Sequence, residues 1–261
     1  MLKLNLARNC LKYLIRIYNI KEIYLPYYSC KVLWQACRQE NCKVRFYHIG
    51  NDFLPITRFN KKDFVLYINY YGLCSDNCKN LAEKYPNLIV DNTQAFYSES
   101  VGLASFNSLR KFFNVQNGAY LYTKKELKLD FSQDKYLFFP CNMAENYEQF
   151  LKNELFLNTE DIKYLAPCVE EIMKNIDFEQ DKKTRIEKFL YYQEKYKKVN
   201  KISLSLNGKD IPYCYPLCTT DNHTLNLLSS NKTPLLSLWG TMPENVPEYK
   251  FLNNTVVIPL V

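Results

Sequence analysis

The chain has 261 residues, 47% of them hydrophobic and 15% aromatic, and a formal charge of +7. That is enough apolar mass for one large folded domain with a small appendage, and it excludes a disordered polymer. The positive charge is spread along the sequence, with no zinc-finger spacing, RNP-like aromatic motif or long basic arm. A nucleic-acid partner is therefore not expected, and phosphorylated small ligands suit the charge better.

No stretch approaches the roughly 18–20 uninterrupted apolar residues of a membrane span, so no membrane partner is expected. Basic residues interrupt the apolar N-terminal segment, which carries no small-residue cleavage pattern, and a cytoplasmic location is expected. Ten cysteines include the pairs Cys37/Cys42, Cys74/Cys78 and Cys214/Cys218, none of them CxxC, and there are only two histidines. These read as reduced, mostly buried thiols rather than a zinc site or a disulfide framework.

In chain order, residues 5–19 read as an amphipathic helix with Leu11, Leu14, Ile15 and Tyr18 on one face. Ala7-Arg8-Asn9-Cys10 stands at its start, where free backbone N–H groups and the positive end of the helix dipole offer a place for a phosphate. Taken without the rest of the chain, the same residues are an ordinary helix cap. Residues 22–25 form a short strand that runs into Pro26-Tyr27-Tyr28-Ser29-Cys30. Residues 31–40 then read as a helix and 43–49 as a strand of alternating polarity. A third strand over 64–69 ends in Tyr70-Tyr71-Gly72, and a helix over 76–85 leads to Pro86. Strands alternating with helices over the first 125 residues predict a mostly parallel sheet with right-handed crossovers. In such a sheet, chemistry gathers at the carboxyl ends of the strands.

The most informative stretch runs from Asn87 to Tyr122. Leu88-Ile89-Val90 is an apolar run of the kind a buried parallel strand needs, and Asp91 stands at its end, with Gln94 three residues on. After Gly102 comes Ser105-Phe106-Asn107-Ser108-Leu109-Arg110-Lys111. A second apolar run, Ala119-Tyr120-Leu121-Tyr122, leaves the loop through Gly118. An acid and a lysine at neighbouring strand ends suit pyridoxal phosphate, which needs a carboxylate against its ring nitrogen and an amine to bond its aldehyde.

These motifs resemble the DegT/StrS family of fold-type I sugar aminotransferases, as a short member truncated at both ends. The resemblance implies an α/β fold-type I domain of three layers with a mostly parallel sheet, over residues 1–178, and a small α+β domain over 179–261. It implies that Lys111 carries pyridoxal 5′-phosphate, that Asp91 contacts the pyridine nitrogen, and that Gln94 lies on or beside the ring. Arg8 and Asn9 match the position of the family's phosphate-binding turn. The phosphate serine usually lies five residues before the lysine, a place held here by Phe106, so Ser108 is favoured and Ser105 stays open. Cys30 occupies the usual ring-stacking position, with Tyr28 or another ring as its substitute. Tyr70 and Tyr71 belong to an aromatic-Gly loop expected at the substrate entrance.

Beyond Lys124 the pattern turns helical, over 144–157, 160–176 and 180–198. Thr184-Arg185 matches an Arg-rich turn that ends a long helix in the family. Residues 212–217 and 256–260 resemble strands of the small domain, and Leu238-Trp239-Gly240-Thr241-Met242-Pro243 resembles its Trp-Pro loop. The family implies amino transfer from an amino-acid donor, glutamate, to a nucleotide-linked keto-sugar in surface polysaccharide or amino-sugar biosynthesis, by a homodimer. A sugar dehydratase branch carries histidine in place of the lysine, and Lys111 argues against it. The short ends, measured against the family, bear on substrate binding more than on cofactor binding. They leave a catalytically degenerate scaffold as the rival reading.

Overall fold

The computed structural model of the chain describes residues 1–126, 130–135, 147–230, 237–239 and 242–260. Its main sheet has seven strands: β1 (Leu2–Leu4), β2 (Glu22–Pro26), β3 (Lys43–Tyr47), β4 (Val65–Ile68), β5 (Leu88–Asp91), β6 (Ala104–Phe106) and β7 (Ala119–Thr123). Their order is β1-β7-β6-β5-β4-β2-β3. From β6 through β5, β4 and β2 to β3 all neighbours are parallel, while β7 runs antiparallel to both β6 and β1. Helices α1 (Ala7–Tyr18), α2 (Lys31–Gln39) and α3 (Ser75–Lys84) carry the chain from β1 to β2, β2 to β3 and β4 to β5. Parallel pairing requires such crossovers, because a hairpin cannot join parallel strands. The fold is α/β, as expected.

Every residue of β4 and β5 is buried, which is why both read as unbroken apolar runs. After β4 the chain turns at Gly72, whose φ of +74° favours glycine; a Cβ there would stand 2.6 Å from the Ile211 carbonyl oxygen and 2.7 Å from that of Gln94. The turn therefore fixes the strand-end loop against the one that follows Asp91.

The second half departs from expectation in two places. The helix expected over 160–176 is confined to α5 (Pro167–Lys174), because Pro167 has no N–H for a helix interior and holds Ala166 extended at φ −59° and ψ 135°. Tyr164, just before it, bridges Leu4 and Gln133 instead. Thr184-Arg185 lies inside α6 (Phe178–Tyr196) rather than in a turn at its end. This helix opens at Asp177, whose carboxylate accepts from the Gln180 backbone N–H at 3.0 Å. α4 (Tyr147–Thr159) accounts for most of the helix expected over 144–157, whose residues 144–146 lie outside the described residues.

Two C-terminal strands, β8 (Cys214–Cys218) and β9 (Thr255–Pro259), pair antiparallel, with α7 (Asn222–Ser230) and α8 (Tyr249–Leu252) between them. Tyr215, Leu217, Val257 and Ile258 belong to the same buried cluster as the apolar residues of β2, β4 and β5. Trp239 of the expected Trp loop packs on Tyr28, whereas Gly240, Thr241 and Val261 lie outside the described residues. Among the described residues no helix is long and apolar enough to cross a membrane.

Candidate active site

β5 delivers Asp91 as its last residue, at the carboxyl end of a central strand. The chain then turns so that the Thr93 N–H donates to Asp91 Oδ1 at 2.8 Å, an Asx-type contact that fixes the carboxylate. Lys111 ends a short 3-10 helix, Leu109–Lys111, entered from β6. Its loop is closed at the base by the Leu109 N–H donating to the Gly118 carbonyl at 2.9 Å. Lys111 Nζ donates to Thr93 Oγ1 at 3.0 Å. Amine and carboxylate thus converge on one threonine.

Their environment sets both charges. Burial raises the Asp91 carboxyl above 3.8, with the Lys111 charge and the Thr93 hydrogen bonds opposing it only in part. Burial lowers the Lys111 amine below 10.5, against the pull of Asp91 and then Cys30. A group whose folded pKa is raised favours the fold in acid and loses that contribution as pH climbs through the raised value. Asn at position 91 does not titrate, so Asp91→Asn is expected to raise the melting temperature of the ligand-free protein at pH 7. The gain should shrink to nothing as the pH approaches 3.8 and below. Melting curves at pH 3.5 and pH 7 check this; a lower melting point for the variant at pH 7 contradicts it.

The remaining expected residues divide between this site and the frame around it. Ser105 pairs with Val90, not Asp91, so its side chain leaves the opposite face of the sheet, and its hydroxyl donates to Ser100 Oγ at 2.8 Å. Ser108 stands just before the 3-10 helix, buried, and its hydroxyl has no hydrogen-bond partner among the described residues. Gln94 is buried, with its Oε1 accepting the Tyr71 N–H at 2.8 Å. Asn9 ties α1 to the 160–161 segment, its amide donating to the Asp161 carbonyl at 2.7 Å. Arg8 faces Glu154 and Asn158 of α4.

Tyr28, Tyr70 and Tyr71 are buried together rather than lining an entrance. Tyr70 lies near-parallel to Tyr28 at 5.9 Å and donates its hydroxyl to the Tyr28 carbonyl, while the Tyr71 and Tyr28 hydroxyls meet at 3.1 Å. The Gly72 turn draws this loop inward, so the expected substrate-facing role of Tyr70 and Tyr71 has no support in their placement. Of the two stacking candidates, Cys30 is half-buried and stands immediately before α2, with no side-chain cap bond to it. Sequence reading missed Thr93, Cys214 of β8, whose thiol also lies within reach of the Lys111 charge, and Arg110 with Glu154. Thr93 carried one usable signal, its place two residues after a strand-end Asp.

No family model and no curated protein matches the chain. Solved structures do. An aminotransferase of the DegT/DnrJ/EryC1/StrS kind from Brucella abortus superposes with a TM-score of 0.63 at 11% identity, over 99% of this chain and 80% of its own. DesV of S. venezuelae, in complex with a ketimine intermediate, gives 0.69 at 12% identity over 99% and 78%. Spr1654 of Streptococcus pneumoniae, described as a sugar aminotransferase and seen in its PMP form, gives 0.70 at 13% identity over 99% and 80%. The chain has their fold. Asp91 and Lys111 lie at the carboxyl edge of its sheet.

Proposed function

We propose that this chain is a pyridoxal 5′-phosphate-dependent aminotransferase that aminates a nucleotide-linked keto-sugar, in surface polysaccharide or amino-sugar biosynthesis. The observation that carries the reading is the meeting of Lys111 Nζ and the Asp91 carboxylate at Thr93. The residues present fit the cofactor: an amine for its aldehyde, a buried acid for its ring nitrogen, and the free Ser108 hydroxyl with the Arg8 and Arg110 guanidiniums for its phosphate. When bound, that group supplies an electron sink next to the amine it receives. Asp91 holds a proton on the pyridine nitrogen. Lys111, its amine made less basic by burial, takes and returns the proton at the donor's Cα.

The neighbours' chemistry supports the reading, since DesV holds a ketimine and Spr1654 a PMP form on the same fold. Glutamate is the proposed donor, the assembly a homodimer and the location cytoplasmic, with the small domain taken to start at residue 179. The test is spectroscopic. The purified chain with added pyridoxal 5′-phosphate should develop a visible absorption band that borohydride removes, and then release 2-oxoglutarate from glutamate when given a nucleotide-linked keto-sugar. A colourless protein defeats the proposal. A band with no turnover on any keto-sugar would favour the degenerate scaffold.

A further inference from the structure

Two guanidiniums face one carboxylate beside the lysine loop. Arg8, second residue of α1 and only 7% exposed, places one nitrogen 3.5 Å from Glu154 Oε2 and donates through the other to Asn158 Oδ1. Arg110, immediately before Lys111, donates to Glu154 Oε1. Glu154 and Asn158 lie one turn apart on α4, so a single face of that helix closes over both the start of α1 and the loop that carries Lys111.

The charges do not balance. Among the described residues, two cations against one carboxylate leave a net positive charge in a place mostly removed from water, where uncompensated charge is costly. Burial, and then the charge of Arg110, pulls Arg8 below its ordinary value in spite of Glu154. Burial alone would push the Glu154 carboxyl up, yet Arg110 and Arg8 hold it below the usual range. Paired guanidiniums match a phosphate monoester in shape and in double charge, and the match is better than with one carboxylate. The first turn of α1, which has no side-chain cap at Leu6, adds its positive dipole end to the same spot.

We propose that Arg8 and Arg110 are the two arms of a seat for a phosphate monoester, and that Glu154 is the chain's own occupant of it. A phosphorylated ligand then enters only as α4 gives way, which makes the Glu154 contact autoinhibitory. This rests on the cofactor reading for the identity of the ligand, but the seat itself is testable with inorganic phosphate.

Glu154→Gln keeps the shape and removes the charge. The full-length variant and the unaltered protein are titrated with pyridoxal 5′-phosphate and with phosphate-free pyridoxal by absorbance, and with inorganic phosphate by calorimetry. The variant should bind pyridoxal 5′-phosphate and inorganic phosphate about tenfold or more tighter, with pyridoxal unchanged. Arg110→Gln should weaken both phosphate ligands by a similar factor. Phosphate should also speed protease cleavage within α4 of the unaltered protein, which decides the matter even if Glu154→Gln fails to fold. Equal phosphate affinities in variant and unaltered protein, an equal gain for pyridoxal, or phosphate that protects α4 would each overturn the proposal. If no visible band appears with any aldehyde, the cofactor reading falls while the phosphate titration still decides the seat.

Discussion

Lys111→Ala is expected to lose the borohydride-sensitive band entirely and to slow amino transfer by about a hundredfold or more, the scale of a lost acid–base group. The fold should tolerate it. Among the described residues the Lys111 amine makes one hydrogen bond, to Thr93, and burial lowers its pKa, so the folded state gains little by holding it charged. A lysine with a depressed folded pKa favours the fold above 10.5 and loses that contribution as pH falls through the lowered value. The alanine variant should therefore melt at or above the temperature of the unaltered protein at pH 7, and the difference should narrow toward pH 10.5. Lys111→Arg separates charge from chemistry, since a guanidinium can neutralise Asp91 but cannot bond an aldehyde at neutral pH. A band that survived in either variant would show that another amine carries the aldehyde.

Much of this site could be read from residue order because its parts announce themselves locally. The Leu88–Asp91 strand is an apolar run closed by an acid, and Lys111 precedes a glycine-terminated loop that re-enters the sheet, so each reads without knowledge of distant partners. What stayed hidden depends on long-range pairing. β1 is three residues long and exists through its pairing with β7 more than a hundred positions away. The choice between Ser105 and Ser108 turns on sheet register: once Val90 is known to pair with Ser105, the hydroxyl must leave the face opposite Asp91. The substrate-entrance place of Tyr70 and Tyr71 is implied by the family resemblance alone, whereas the Ile211 and Gln94 carbonyls around Gly72 hold this loop inside. Glu154 gave no signal, since neither Arg8 nor Arg110 is near it in the chain. α5 differs, since Pro167, within the expected 160–176 helix, is itself a local sign of where the helix starts.

Arg185, which lies within α6 and not in a turn at its end, carries the largest expected effect on stability. Its side chain is among the largest fully buried ones, at 1% exposure. From within α6 it donates to Asp181 Oδ2 at 2.7 Å, to the Phe112 carbonyl at 3.1 Å and to the Tyr213 carbonyl at 3.3 Å. Its guanidinium also lies 4.5 Å over the Phe112 ring. One residue thus fastens the long helix to the peptide that follows Lys111 and to the residue that leads into β8. Arg185→Ala strips two buried carbonyls of their donor and leaves Asp181 with the Tyr97 hydroxyl, at 2.7 Å, as its remaining side-chain donor. Losing one partner of such a network costs about 3 kcal/mol or more, which for a chain of this size lowers the melting temperature by roughly 10 °C. Arg185→Lys keeps the charge but cannot reach three acceptors on two planes, so it should recover under half of that loss. Because Phe112 adjoins Lys111, the lysine variant should also bind pyridoxal 5′-phosphate more weakly while folded. Its band should saturate at higher ligand concentration, an effect that a residue serving only the helix would not produce. A melting temperature for Arg185→Ala within about 2 °C of the unaltered protein, a change worth no more than about 1 kcal/mol, would show that the lysine loop is held by something else.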